Sequence, residues 1–491
     1  MMKPSAVSRH WTVSALLTIL AGCAVGPDYE RPTIDTPPSY RFEDAQARDT
    51  VNTAWWTQFG DKQLERLIGI ALAENKDVLI AAARVEEFYG RLGAQRGQQF
   101  PQVGAQAEAG RQRQSRASNP LFQLLPGAEL TNDFWSANLG VSFELDLWGR
   151  LRRGTEAARA DLLAAEENRR TVILSLVSAV ATSYVNLLNL DRQLEISRDT
   201  VRTRAESLRI FELRFKGGTI SEVELQQVRS EYETALAAVP ALEKQVAQQE
   251  SNLSVLLGRN PGRIGRGGAL DKLVLPLVPA GLPSELLERR PDIRQAEQQL
   301  VAANARIGVA KAAFYPSISL TGLIGVASSD LSNLFSSDAR TWSFGGSVNQ
   351  PIFTGGTLSG QLAASEAQQQ QALYSYQKTI QTAFGEVENS LVDQAKTREQ
   401  LAAQARQVEA LARYAYLARL RYDNGYTSYI EVLDSERSLF QAQLQLVQTQ
   451  GQLYVALINL YKALGGGWVN EADKLTPRPT VDITQNPPIL P

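Results

Sequence analysis

The chain has 491 residues, a formal charge of −2, and only one histidine, one cysteine and two methionines. A charge this close to neutral gives nucleic acid no electrostatic reason to bind. Met1, Met2, His10 and Cys23 all lie within the first 23 residues, so the rest of the chain has no imidazole or thiol. That excludes disulfides, Cys/His zinc sites and His- or Cys-based catalysis there, and no carboxylate spacing suggests a metal site.

The first 22 residues read as an export signal. Lys3, Arg9 and His10 precede an apolar run over 11–21 that is too short to span a bilayer as a helix. It ends in Leu20-Ala21-Gly22-Cys23, which matches the bacterial lipobox and makes Cys23 the lipidated mature N-terminus. Ala24 follows instead of an aspartate, which favours the outer membrane. Beyond this covalent lipid no cofactor is expected. Removal of the signal takes Lys3 and Arg9, leaving 48 basic against 52 acidic residues and a charge of −4. No apolar run of 18 or more residues is apparent after the signal. A chain of this kind crosses a membrane only as a closed β-barrel.

Residues 61–262 recur, in register, over 283–466. Arg214-Phe215-Lys216-Gly217-Gly218 matches Arg421-Tyr422-Asp423-Asn424-Gly425, an offset of 207 that also pairs Ser221 with Ser428 and Glu224 with Glu431. Asp77 matches Asp292, and Phe100-Pro101 matches Tyr315-Pro316, at 215. Such self-similarity has to be read before a fold is assigned.

In chain order, residues 23–60 form a lipidated N-terminal segment, and a helix is expected over about 62–98. Two strands follow within about 102–147. In 136–147, Leu139, Val141, Phe143 and Leu145 alternate with polar residues; in 102–113 the alternation is weaker. Alternation at about ten residues fits a barrel wall with a wet lumen, and equally a half-buried soluble sheet. A helical hairpin over about 150–257 comes next, its outgoing arm carrying Ile173, Val180, Leu187, Leu194, Val201 and Leu208 at heptad spacing. Sustained heptads imply coiled-coil packing. Gly217-Gly218 suits a left-handed helix end, and Ser221-x-x-Glu224 a capping box for the returning helix, which Pro240 should kink.

After a linker over 263–282 the second copy repeats the order: a helix over about 284–313, strands within about 316–352 and a hairpin over about 357–465. Asn424-Gly425 serves as its turn and Ser428-x-x-Glu431 as its capping box. A C-terminal stretch, 467–491, joins 23–60 and 263–282 in a belt around the helices and ends in a flexible tail. On the last long helix Glu431, Asp434, Ser438, Gln441, Gln445, Gln448 and Gln452 share one stripe, which faces either bulk water or a channel. Four strands per chain cannot close a barrel, since single-chain bacterial barrels start at about eight. Three chains supply twelve.

These motifs together resemble the outer membrane factors of the TolC/OprM superfamily, in the lipidated, NodT-like branch. The marks are Cys23-x-x-Gly26-Pro27-Asp28-Tyr29, Asp146-Leu147-Trp148-Gly149-Arg150, Arg290-Pro291-Asp292-Ile293, Phe314-Tyr315-Pro316, Arg421-Tyr422-x-x-Gly425, Leu433-Asp434-x-x-x-Ser438-Leu439 and the run from Leu460 to Trp468. The resemblance implies an internally duplicated α+β membrane protein. Its homotrimer would build a twelve-stranded β-barrel with four strands per chain, continuing into a twelve-helix α-barrel with a mixed equatorial region. It implies an exit duct and not an enzyme, partnered by a periplasmic adaptor and an inner-membrane pump of the resistance-nodulation-division type, with outer-membrane lipid around it. It further implies a periplasmic gate at Asp434 and Glu431, with Tyr422 and Glu224 linking tip helices; the repeat-one counterpart of Asp434 is Gln227. A capping role explains the two glutamates equally well. Other readings of the architecture are a protein-secretion duct and a pore-free periplasmic coiled-coil lipoprotein, against which the four strands argue.

Overall fold

The computed structural model describes residues 24–42, 54–115, 130–276, 283–465 and 468–488. Cys23 and the signal-like segment lie outside the described residues. The first copy runs α1 (Lys62–Glu74), α2 (Lys76–Gly97), β1 (Gln102–Arg113), β2 (Thr131–Leu145), α3 (Arg150–Lys216) and α4 (Glu222–Leu256). The second runs α5 (Pro283–Arg289), α6 (Pro291–Ala312), β3 (Ser317–Ser328), β4 (Arg340–Asn349), α7 (Thr357–Asp423) and α8 (Tyr429–Leu464), and α9 (Trp468–Asp473) follows.

The leading helix of each copy is two helices, not the single one expected. Asn75 breaks the first: its backbone is extended, its side chain caps the Asp77 and Val78 amides, and its Nδ2 donates to the Leu256 carbonyl at 2.9 Å. The turn after α4 is pressed against this break. A Cβ on Gly258, whose φ is +76°, would lie 2.3 Å from the Glu74 carbonyl oxygen. Pro291 breaks the second by forcing Arg290 out of helical conformation.

Helices α3 and α7 are each 67 residues, about 100 Å at 1.5 Å per residue. Their heptads are buried where the hairpins meet: Ile173, Val180, Leu187, Ile380 and Val387 sit in one core with Tyr184, Leu253, Leu457 and Leu460. Part of α3 is long and apolar enough to cross a membrane by composition, contrary to the sequence reading. Two thirds of that stretch is buried inside the chain, so packing against neighbouring helices accounts for its character. Helix α4 continues through Pro240.

The strands form one antiparallel sheet in the order β1-β2-β3-β4. β2 starts at Thr131, five residues before the expected start, because Asp133 pairs with Arg111 directly across from it at 3.1 Å and extends the ladder. The outer edges of β1 and β4 have no partner among the described residues.

The N-terminal segment is a polar strap. Val25 N–H donates to the Trp148 carbonyl at 3.0 Å, and Arg153 pairs with Asp28 at 2.6 Å. Further on, Arg31 pairs with Glu297 and Arg41 with Glu388. The strap therefore starts at the β2–α3 junction and crosses α6 to reach α7. In the belt below it, Trp55 stacks on Tyr461 at 4.8 Å and meets Trp468 edge-on. The C-terminal tail is held rather than loose as far as Pro487. Arg96 donates to the Pro487 carbonyl, Thr480 to Glu86, and Ile483 packs beside α2.

Candidate functional site: channel lining and helical tip

The register sorts the sheet into two faces. Val103↔Val141, Leu139↔Ile324 and Ile324↔Trp342 lie on one. Gln106↔Asn138, Ser142↔Thr321 and Ser319↔Ser347 lie on the other. The alternative of a half-buried soluble sheet requires the apolar face to be covered. Here Trp342, Phe344 and Val348 are 72%, 82% and 67% exposed, with no layer of the described residues over them. An apolar face without cover and a Ser/Thr/Asn/Gln face opposite it are what a barrel wall needs.

The same division continues on α8. Asp434, Gln441, Gln445, Gln448 and Gln452 are exposed along one stripe, while Val432, Leu453, Leu457 and Leu460 are buried behind it.

At the far end of the helices a second, separate apolar cluster ties the hairpins together: Phe211, Leu225 and Val228 from the first, Ala418, Tyr429, Val432 and Leu433 from the second. The Phe211 and Tyr429 rings are 4.2 Å apart, and Tyr422 meets Tyr429 edge-on at 5.0 Å. Arg214 lies over both Phe211 and Tyr422 and donates to the Tyr422 hydroxyl at 3.0 Å. Burial pushes the Tyr429 hydroxyl up to about 12, so it stays protonated.

The turns are tight and left-handed at Gly218 (φ +69°) and Gly425 (φ +76°), as expected. The capping boxes are not equivalent. Ser221 and Glu224 form a complete one, the Glu224 carboxylate accepting from the Ser221 amide at 2.9 Å. Ser428 makes no side-chain cap. Glu431 is drawn instead to Arg421, at 2.9 Å, and to the Thr427 hydroxyl. Charge attraction to a guanidinium outcompetes a neutral serine amide for that carboxylate. Of the sequence-derived residues, Tyr422 and Glu431 thus join contacts within the tip, and Glu224 belongs to its own helix start. Asp434 is exposed and makes no hydrogen bond or ion pair among the described residues. Its counterpart Gln227 is half-buried.

Sequence reasoning missed a charged latch one helical level higher. Glu231 of α4 is buried and takes Arg204 of α3, whose Nη1 reaches its Oε2 at 3.0 Å, and Arg437 of α8. Glu436 lies beside it, and burial pushes its carboxyl above the usual range, while Arg419 and Arg204 oppose the shift. The available signal is position. Glu436 stands four residues after Val432 and Arg204 four before Leu208, both on helix faces reserved for apolar seams.

The family profile of outer membrane efflux proteins matches residues 67–259 and 282–466. The cation efflux system protein CusC of Escherichia coli O6:H1 is 37% identical over 91% of this chain and 96% of its own. The solvent efflux pump outer membrane protein SrpC of Pseudomonas putida is 38% identical over 92% and 97%. Among solved structures, the open state of the MtrE outer membrane channel of Neisseria gonorrhoeae superposes with a TM-score of 0.81 at 32% identity, over 91% of this chain and 99% of that one. The four-stranded sheet with its unpaired edges is one third of the trimeric barrel of this fold class. With an uncovered apolar sheet face suited to the outer membrane, the chain belongs to the outer membrane efflux protein family and is an exit duct of an efflux system.

Proposed function

We propose that the chain is a passive duct whose periplasmic end is gated at Asp434. A periplasmic adaptor would couple it to an inner-membrane pump, of the resistance-nodulation-division type, that supplies the energy. The observation that carries the gate is the contrast on α8. Asp434 is exposed on the stripe and makes no hydrogen bond or ion pair among the described residues, only a longer-range attraction to Arg437, whereas Glu431 and Glu231 are held in ion pairs. Three copies set three such carboxylates around one axis. A ring of carboxylates attracts cations and repels anions at a constriction. Glu431 is a secondary member of this ring, held back by Arg421, and Tyr422 links the two hairpins through Arg214. Glu224 acts in the gate only by fixing the start of α4.

The strap supports lipid attachment at Cys23. Ala24 lies against Gly149 at the β2–α3 junction, where the strands meet the helices. The cargo reading is small molecules. The strand face turned to the lumen is mostly uncharged Ser, Thr, Asn, Gln and Gly, which discriminates little and leaves selection to the pump.

Single-channel recording in planar bilayers tests the gate. Asp434→Ala is expected to raise conductance and to weaken cation preference. Unchanged conductance and selectivity would remove Asp434 from the gate.

A further inference from the structure

We propose that the outer rim of the barrel binds phosphate-bearing headgroups of outer-leaflet lipid, through Arg111 and Arg113 of β1 and Arg340 of β4. The rim is the end of the sheet away from the helices, since β1 ends there and β4 begins there. Alternate residues of a strand share a face. Arg111 and Arg113 therefore continue the face of Val103, Ala105, Ala107 and Ala109, and Arg340 that of Trp342, Phe344 and Val348. This is the apolar face, turned to the bilayer.

Height fixes the leaflet. From Val103 to Arg111 the strand climbs about 26 Å at 3.3 Å per residue, or about 20 Å along the barrel axis at the usual tilt. An apolar band about 25 Å tall ends near this level. The arginines stand where acyl chains give way to headgroups.

Their pairing distinguishes them from the arginines at the other end of the strands. There Arg150 holds Glu144 at 2.7 Å, Arg152 holds Asp146 at 3.5 Å and Arg153 holds Asp28 at 2.6 Å. At the outer rim Arg111 meets Asp133 and stays 74% exposed. Arg113 and Arg340 are exposed, and their side chains make no ion pair or hydrogen bond among the described residues. β1 and β4 are the two edges of the sheet, so closure of the trimer sets β4 of one copy antiparallel to β1 of the next. That brings Arg340 of one copy to the same rim as Arg111 and Arg113 of its neighbour. Guanidinium groups match phosphate oxygens in bidentate geometry. The apolar wall directly below takes acyl chains, so the ligand is an amphiphile and not free phosphate.

The test uses the full-length trimer in detergent with three probes: bis-phosphorylated lipid A, the same lipid stripped of its phosphates, and inorganic phosphate. Binding is read as the rise in the temperature at which the trimer dissociates on a gel. The phosphorylated lipid is expected to raise it and the other two to leave it unchanged. Arg113→Gln with Arg340→Gln should weaken the apparent affinity roughly thirtyfold, the effect of two cations at an anionic lipid surface. The Lys pair should retain most of it. Equal stabilisation by the stripped lipid, an equal effect of inorganic phosphate, or wild-type affinity in the Gln variant would each overturn the proposal. If the Gln variant forms no trimer, the two lipids on the wild-type protein decide it alone.

Discussion

The two hairpin tips descend from one repeated unit, yet they are held in different ways. The first closes on itself: its serine and glutamate satisfy each other across the start of α4. The second leaves Ser428 without a side-chain cap and spends its glutamate on Arg421 and Thr427, and its next carboxylate, Asp434, makes no hydrogen bond or ion pair among the described residues. What holds the second tip is therefore mainly its contact with the first, through Tyr422 and Tyr429 on Phe211 and through Arg437 on Glu231. A tip fastened locally moves as a unit. A tip fastened through a neighbour can be released by loosening that neighbour.

The largest test of this asymmetry is Phe211→Ala. Phe211 is fully buried between the hairpins, and truncating a buried phenylalanine costs about 3–5 kcal/mol. The loss should be uneven. Hydrogen exchange is expected to accelerate strongly over 418–436 and much less over 214–228, where the capping box survives. Equal loss in both turns would show that the tips are held alike.

How much of this was legible beforehand follows from which interactions have a period. The duplication, the two strand faces, the heptad positions from Ile173 to Leu194 and the left-handed turns at Gly218 and Gly425 all repeat at fixed spacing, and the structure has them where the sequence put them, while Val201 and Leu208 nearer the tip are only half-buried. The breaks at Asn75 and Pro291 were readable from local chemistry, an N-cap residue and a proline, but were hidden by apolar periodicity on either side. Choice of partner has no period. Glu431 had the spacing of a capping box, and only the fold brings Arg421 ten positions back along the chain to its carboxylate. The Glu231 latch joins residues 206 positions apart along the chain, so the local pattern flags charges at seam positions but not what they pair with. Lipidation at Cys23 rests on its motif, and gating by Asp434 on placement that the bilayer recordings test.

A pH series sharpens the comparison with a smaller effect. Burial raises the Glu436 carboxyl above its unfolded value, so the folded tip holds that proton more tightly than the unfolded chain does. Stability then falls as pH rises from the ordinary glutamate range through the raised value, and is greatest below it. Groups facing Glu436 are Arg419 of α7, Arg204 of α3, Glu231 of α4 and Tyr429 of its own helix. Exchange over 429–440 is expected to quicken across that window and to become flat in Glu436→Gln. The 221–228 segment should show no matching step, since none of the groups that face Glu436 lies in it.

The smallest effect isolates the caps themselves. Ser221→Ala removes the hydroxyl that accepts from the Glu224 amide at 3.3 Å, and losing an N-cap side chain costs about 1 kcal/mol. Exchange of the first amides of α4 should quicken about fivefold. Ser428→Ala removes a hydroxyl that caps nothing, so the first amides of α8 should exchange at an unchanged rate. Thr427→Val is the sharper companion at this turn, because it deletes the hydroxyl that Glu431 accepts while keeping the side chain's shape. If Ser428→Ala instead matches Ser221→Ala, the two tips share one capping scheme. The divergence between the copies would then reduce to Asp434 against Gln227.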